Sequence, residues 1–353
     1  MINKNRQIEN AYNIMQYLHD ELRAKRFKDF STENIESLDI LYTNLIIKWC
    51  NTLAKEGLYK EYVEHENEEL TSARGQINVQ ETLLQNSRLR GALICSYDEF
   101  SSNVYINIIL KSMLHYLAYH GYCNEDNKKE MTKTLQMFNG IDYLDIRDIH
   151  WRNIRYNNNN TRYKHLLEIC KALLDEHRME KTVGLDDNRR IYLLFKKQVS
   201  KYFKLKYGDV LNTEVLEIPY NYDIEHPFET YITKAQRIVV LKSGEEAVLI
   251  EIRLKDDDTI QDTTIIRQRL FNFTKLLKTY KKEYKLNTRG VIIHINIDSN
   301  HMSLEHLKTT NVNGVLVGEV TIDMHDQWRF ITNKLDSIVQ YMFKGLNIKK
   351  TLQ

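Results

Sequence analysis

No stretch of this sequence approaches ~18 uninterrupted apolar residues, so no membrane-spanning helix is expected. The N-terminus, MINKNRQIEN, is polar and lacks an apolar core, and it is not read as a signal peptide. Cysteine is scarce: Cys50, Cys95, Cys123 and Cys170 lie far apart and form no C-x-x-C. This argues against a zinc site or a disulfide framework and for reduced, mostly buried thiols in a cytoplasmic protein. G-x-x-x-x-G-K-S/T is missing, which excludes nucleotide binding by a P-loop. G-x-S-x-G, H-E-x-x-H and G-x-G-x-x-G are missing too, and the 12 histidines are scattered without convincing ligand spacing. There is little excess of either charge. At a net +2, any nucleic-acid binding must come from a local patch. Proline occurs only 2 times, and no internal repeat is present.

What is there suffices for two domains with sizeable cores: 353 residues, 42% of them hydrophobic. The first half reads as helical with a small β element. Residues 8–24 place Ile8, Tyr12, Met15 and Leu18 at helical spacing. Residues 35–56 repeat the pattern with Ile35, Leu38, Leu41, Leu45, Ile46 and Trp49, and Gly57 is the stop. Across 58–84 the period changes. Ile77 and Val79 alternate in ARGQINVQET, and the run EHENEEL (64–70) reads as a solvated acidic loop between strands. Residues 102–120, with Ser101 or Ser102 as N-cap, 127–138 and 161–178 read as further helices, and RYNNNNTRY as an exposed loop.

The second half opens near residue 184 with a helix over 187–206. Strands follow at 214–218, 230–241 and 246–254, then a helix at 263–284, strands at 290–297 and 314–322, and a closing helix at 325–345. That order is an α/β core. The division expected is 1–183 and 184–353.

One segment carries candidate chemistry. EAVLIEIRLKDDD (246–258) is a buried strand leading into charge, with Glu251 and Arg253 one residue apart. Metal-dependent phosphodiester cleavage needs carboxylates to hold Mg²⁺ and a cation to stabilise developing charge. Glu251 can be one acid. Upstream, where a first acid belongs, the chain reads Gln236-Arg237. Three readings stay open. In one, Asp223, Glu225 or Glu229 supplies the missing acid and Lys255 the cation. In another, the nuclease fold has lost catalysis. In the third, these are plain core strands. The helix KLLKTYKKEYK carries Lys275, Lys278, Lys281, Lys282 and Lys285 with Tyr280 and Tyr284 interleaved. It can track phosphates or be a solvated face.

Several segments in order resemble McrC, the nuclease subunit of the McrBC family of GTP-driven restriction systems. They are IENAYNIMQYLHD; ARGQINVQETL with Arg74, Gly75 and Ile77; CSYDEFSSNVYINIILKSMLHYL with Tyr97, Asp98, Asn107 and Leu110-Lys111; FNGIDYLDI; RYNNNNTRYKHLLEICKALL; and RQRLFNFTKLL with Gln268. The resemblance implies an N-terminal half that docks on a McrB-like AAA+ GTPase hexamer, with Arg74, Gly75 and Asp98 on the docking side. It also implies a C-terminal PD-(D/E)XK-type nuclease-like domain that cuts double-stranded DNA with Mg²⁺, GTP being bound only by the partner. Self-association through the nuclease-like half belongs to the same expectation. The acidic run 64–70 stands where the family has a finger that enters the ring. By position, Glu251 fills the family's strand-end acid, Arg253 its lysine and Gln268 its glutamine; Lys255 is the displaced catalytic cation and Asp223, Glu225 or Glu229 the displaced metal-binding acid of the active-nuclease reading, and the residues themselves make Lys275, Lys278, Lys281 and Lys282 the candidate DNA-binding face. Arg253 stands where the family has lysine, and no carboxylate stands at 236 or 237.

Overall fold

The computed structural model of the chain describes residues 2–24, 27–123, 125–219, 235–255, 263–297 and 306–343. It divides into two compact units, one of residues Met1–Leu41 with Asp175–Gln353 and one of Tyr42–Leu174. This differs from the expected split at 183/184. The first helix, α1 (Ile2–Leu18), packs on α7 (Asp187–Tyr207), so the N-terminal segment belongs to the same unit as the second half of the chain. The reason is polar as well as apolar. Gln7 Nε2 donates to Ile297 O at 2.7 Å, and Asn10 Nδ2 donates to Met324 O at 2.8 Å and Asp326 O at 2.9 Å.

In the Tyr42–Leu174 unit, α2 (Leu38–Glu56) buries Leu45, Ile46, Trp49, Cys50 and Leu53, and Gly57 follows it at φ +98°. These spacings put every one of them on one stripe. The other helices of this part are α3 (Val79–Leu84), α4 (Tyr105–Tyr119), α5 (Glu125–Met137) and α6 (Lys164–Val183). A sheet in the order β1-β3-β2 is built from β1 (Glu61–Leu70), β2 (Gln76–Ile77) and β3 (Leu93–Ser101). The acidic run is therefore a strand, not a loop: Glu64 opposes Asp98 and Glu69 opposes Ile94 in β1–β3. The expected strand over Ile77 and Val79 stops at Ile77, because Asn78 turns the chain and its side chain accepts from Glu81 N to cap α3. Asp98 lies in β3, and α4 starts after Val104 rather than after Ser101 or Ser102. Buried Asn107 donates to Tyr59 O and Ser102 O, both at 2.8 Å. The asparagine loop is not wholly exposed either, since Asn160 is buried with its amide on Arg155 O.

The other unit is built on a sheet in the order β4-β5-β6-β7-β9-β8. Its strands are β4 (Asn212–Pro219), β5 (Ala235–Ser243), β6 (Glu246–Leu254), β7 (Asn287–Asn296), β8 (Lys308–Val312) and β9 (Val315–Asp323). β4, β5 and β6 are antiparallel, β6, β7 and β9 run parallel, and β8 closes the edge antiparallel to β9. The short polar β8 was not legible as a strand. One face of the sheet buries Ile238, Val240, Ala247, Leu249 and Ile292 under Phe273, Leu277 and Tyr280 of α8 (Thr263–Tyr284). The opposite positions, Val239, Leu241, Val248, Ile250, Val291 and Ile293, are buried too. With both faces covered, these strands read as near-continuous apolar runs. α9 (Trp328–Met342) packs on β9, and α7 packs on β4 and β5. No helix among the described residues is long and apolar enough to cross a membrane.

Candidate functional site

Alternation along β6 puts Glu251 and Arg253 on the face that carries Ala247 and Leu249, toward the first turns of α8. β6 is an interior strand, flanked by β5 and β7, with Glu251 opposite Ile238 on one side and Ile292 on the other. Glu251 is therefore not at the sheet edge, and strand structure continues past it to Leu254. The carboxylate is buried at 6% exposure. Its Oε1 accepts from Gln236 Nε2 at 2.7 Å and from Arg253 Nε at 2.8 Å, and its Oε2 accepts from Arg253 Nη2 at 2.6 Å. The guanidinium thus binds both oxygens at once, the geometry that a planar fork favours. Arg253 Nη2 also lies 3.5 Å from Arg269 O, which brings the head of α8 to the pair.

Parallel register sets His294 of β7 beside Arg253. Burial, together with the Arg253 and Lys255 charges, pushes His294 down to about 4. Its imidazole is neutral at physiological pH, chiefly because burial disfavours the charged form. The alternating position of His294 in GVIIHINI was the signal that could have placed it on this face. Lys255 continues the strand pairing, its backbone N–H donating to Ile295 O at 2.8 Å. Gln268 is half-buried on α8, with Nε2 3.5 Å from Asn272 Oδ1. Asp223, Glu225 and Glu229 lie outside the described residues.

The lysine face of α8 divides cleanly. Lys275, Lys278, Lys281, Lys282 and Lys285 are exposed, while Tyr280 is buried and forms part of the core. Tyr280 and Tyr284 pack ring to ring at 4.3 Å, with the Lys242 ammonium 5.8 and 5.3 Å from their centroids. Tyr280 is thus committed to packing and does not interleave with the lysines on the solvent side.

In the other unit, Arg74 lies over the Tyr97 ring at 4.3 Å, and Tyr97 stacks on His65 at 4.7 Å. Glu68 accepts from the Tyr97 hydroxyl at 2.8 Å, with His65 Nδ1 also 2.8 Å away, and these contacts hold its carboxyl below the usual range. Gly75 sits at φ +65°, and a Cβ there would come within 2.4 Å of Ser96 O and 2.5 Å of Tyr97 Cβ. Only glycine satisfies both demands. Asp98 is exposed and opposes Glu64 on the other face of the ribbon.

Sequence reasoning also missed a pair at the carboxyl ends of the parallel strands. Asp323 Oδ1 accepts from His325 N at 2.8 Å and lies 2.9 Å from His325 Nδ1, while Asn296 Nδ2 donates to Oδ2 at 3.0 Å. Only the parallel register of β7 and β9 brings Asn296 to Asp323.

The described residues around Glu251 do not fit Mg²⁺. A hard dication asks for several oxygen donors in near-octahedral array. Here a single carboxylate is already taken by N–H donors, and the nearest other side chain, Gln236, presents its amide nitrogen. No group of three candidate metal-ligating residues is found around Glu251 among the described residues.

A family model described as McrBC 5-methylcytosine restriction system component matches residues 3–197, which include the whole Tyr42–Leu174 unit. No curated protein matches the chain. Among solved structures, it aligns with a chain of the refined half-complex from a tetradecameric assembly of Thermococcus gammatolerans McrB AAA+ hexamers with bound McrC. That alignment has a TM-score of 0.57 and 15% identity, over 94% of this chain and 75% of that one. A weaker alignment, TM-score 0.40 and 17% identity over 54% of this chain and 56% of the other, is to the cryo-EM structure of the Thermococcus gammatolerans McrBC complex. The first of these likenesses is one of fold.

Proposed function

Because this chain belongs to the family of McrBC 5-methylcytosine restriction system components, we propose that it is the McrC-like partner of a McrB-like AAA+ GTPase hexamer, acting on DNA without cutting it at Glu251. The Tyr42–Leu174 unit, which the family model spans in full, is the part assigned to GTPase docking and stimulation. The unit that contains α8 is assigned a PD-(D/E)XK-like architecture. Its element order supports this: a helix, three antiparallel strands, a crossing helix and a strand parallel to the third, here α7, β4, β5, β6, α8 and β7. Double-stranded DNA is assigned to the exposed lysines of α8. Self-association through this unit belongs to the same reading.

The observation that carries the non-cutting reading is the Glu251–Arg253 ion pair closed by Gln236. A carboxylate with both oxygens bound to one guanidinium is not free to ligate a metal or to act as a base. The test combines the full chain, its cognate AAA+ GTPase, GTP, Mg²⁺ and cognate DNA. The expected outcome is faster GTP hydrolysis with DNA left intact. Cleavage abolished by Glu251→Gln would sink the reading, whereas cleavage that survives this substitution would direct attention to Asp223, Glu225 and Glu229.

A further inference from the structure

Helix α3 is built inside out. Its inner side is polar: Thr82 is buried, and its Oγ1 accepts from Ile94 N of β3 at 2.9 Å and donates to Asn78 O at 2.7 Å. Asn78 N donates to Ile94 O at 2.8 Å, and Ala92 N donates to the carbonyl of buried Ser87 at 3.0 Å. These bonds pin the segment to β3. Its outer side is apolar. At about 100° per residue, Val79, Leu83 and Leu84 fall within one sector of about 140°. They are 62, 58 and 66% exposed. Leu89, in the 3-10 turn Ser87–Arg90 that follows, is 86% exposed. A surface helix ordinarily turns such a stripe to the core. Single exposed leucines are common, but a cluster of them marks a contact surface. Beside Leu89, Arg88 is exposed and has no ion-pair partner among the described residues, whereas Arg90 Nη2 lies 2.7 Å from Glu69 Oε1. The rim is therefore positive. The patch offers roughly 500 Å², short of the about 800 Å² that each side of a stable pair contributes, so two copies of the chain meeting through it alone would not hold. A phosphate backbone would meet mostly hydrocarbon there.

We infer that Val79, Leu83, Leu84 and Leu89 are the apolar anchor of the docking face, and that they seat in an apolar groove on the AAA+ partner with a carboxylate opposite Arg88. The inference rests on reading the Tyr42–Leu174 unit as the GTPase-docking part. It adds which side chains make the contact and what chemistry receives them. Arg74 and Gly75, assigned to the same face, precede α3 by only a few residues. A partner that also touches them supplies the area that the patch lacks. Because α3 is already pinned by its polar side, its anchors are presented without an ordering cost at the moment of binding.

The experiment mixes the full chain with its cognate AAA+ GTPase and GTP, and reads complex formation by sedimentation alongside stimulated GTP hydrolysis. Leu83→Ser/Leu89→Ser should keep the wild-type circular dichroism and thermal midpoint, because both side chains already lie in water. It should weaken binding by roughly 30-fold or more, the scale of lost hot-spot residues. That loss should persist at high salt, whereas the smaller loss in Arg88→Glu should shrink as salt rises. Tyr119→Ser, which removes an 86% exposed ring from α4 of the same unit, should bind as wild type does. Tight binding by wild type that the leucine variant matches overturns the inference and leaves the docking reading to another surface. A wild type that neither binds nor stimulates the GTPase sinks the docking reading, and the inference with it. Pairing of the chain on its own that the leucine variant abolishes would hand the patch to a second copy and overturn the inference as well. Should the double variant fail to fold, Leu89→Ser alone carries the same test at the most exposed position.

Discussion

Arg253 holds both carboxylate oxygens of Glu251 from two residues along the same strand, at 2.8 and 2.6 Å. The pair is buried, so its halves are unequal in what their loss leaves behind. Arg253→Ala strands a carboxylate in an apolar sheet and should destabilise the unit by about 3–5 kcal/mol, as broken buried pairs do. Replacing both residues with leucine removes the uncompensated charge and should recover much of that loss. Urea unfolding of the three proteins checks this; a double variant no more stable than Arg253→Ala would show that the pair is not what holds the strand.

His294 sets a pH dependence. Its folded value, about 4, lies below the ordinary 6.5 because burial and two cations disfavour the imidazolium. Between those values the unfolded chain binds the proton and the folded chain does not, so stability rises with pH across this window. The contribution is complete above about 6.5 and fades as pH falls through 4. Its size is roughly 1–3 kcal/mol, reduced because the ring keeps some solvent contact. Denaturant midpoints from pH 4 to 7 should climb in wild type and climb less in His294→Gln.

Gly75 is fixed by a left-handed backbone and by its approach to Ser96 and Tyr97. Gly75→Ala combines about 1–2 kcal/mol of backbone strain with a Cβ that has no room. The Arg74–Tyr97–His65 stack should loosen. On the docking assignment, stimulation of the partner's GTP hydrolysis should fall several-fold while circular dichroism stays near wild type. Undiminished stimulation would remove Arg74 and Gly75 from the docking surface.

Asn10 ties α1 to the turn after β9 through Met324 O and Asp326 O. Asn10→Ala leaves two carbonyls without these donors and should cost roughly 1–3 kcal/mol. Hydrogen exchange should quicken in β7 and β9 but not in β1 or β3. Exchange that quickens in β1 and β3 instead would contradict the membership of α1 in the larger unit.

Charge reversal at Lys278, Lys281 and Lys282 tests the DNA face. Each lost phosphate contact should lower the slope of log affinity against log salt by about one unit. Unchanged slopes would leave α8 with a solvated face and no more.

Apart from the short polar β8, the strands and helices of the second half were legible because each carries one period over many residues. VLIEI and GVIIHINI are apolar on both sides, and the LFNFTKLLKTY stripe repeats at helical spacing. Residues 64–70 were misread because acidic side chains look like loop, whereas the backbone pairing of β1 with β3 uses none of them. α3 was missed because Asn78 works as a cap only when the chain turns at it, which the alternation of Ile77 and Val79 hid.

The sequence by itself determined the α/β order, the absence of a P-loop, the outward lysine face and the presence of an acid with an arginine two residues on. These are local properties: periodicity, residue type and spacing. Tertiary structure decided the rest. That Gln236 reaches Glu251, that His294 lies beside Arg253, and that α1 joins the larger unit all depend on strand register and long-range packing. Whether an E-x-R strand is an open acid or a closed ion pair is likewise not written in its spelling. It follows from burial, which strips water from both charges and leaves each as the other's principal partner.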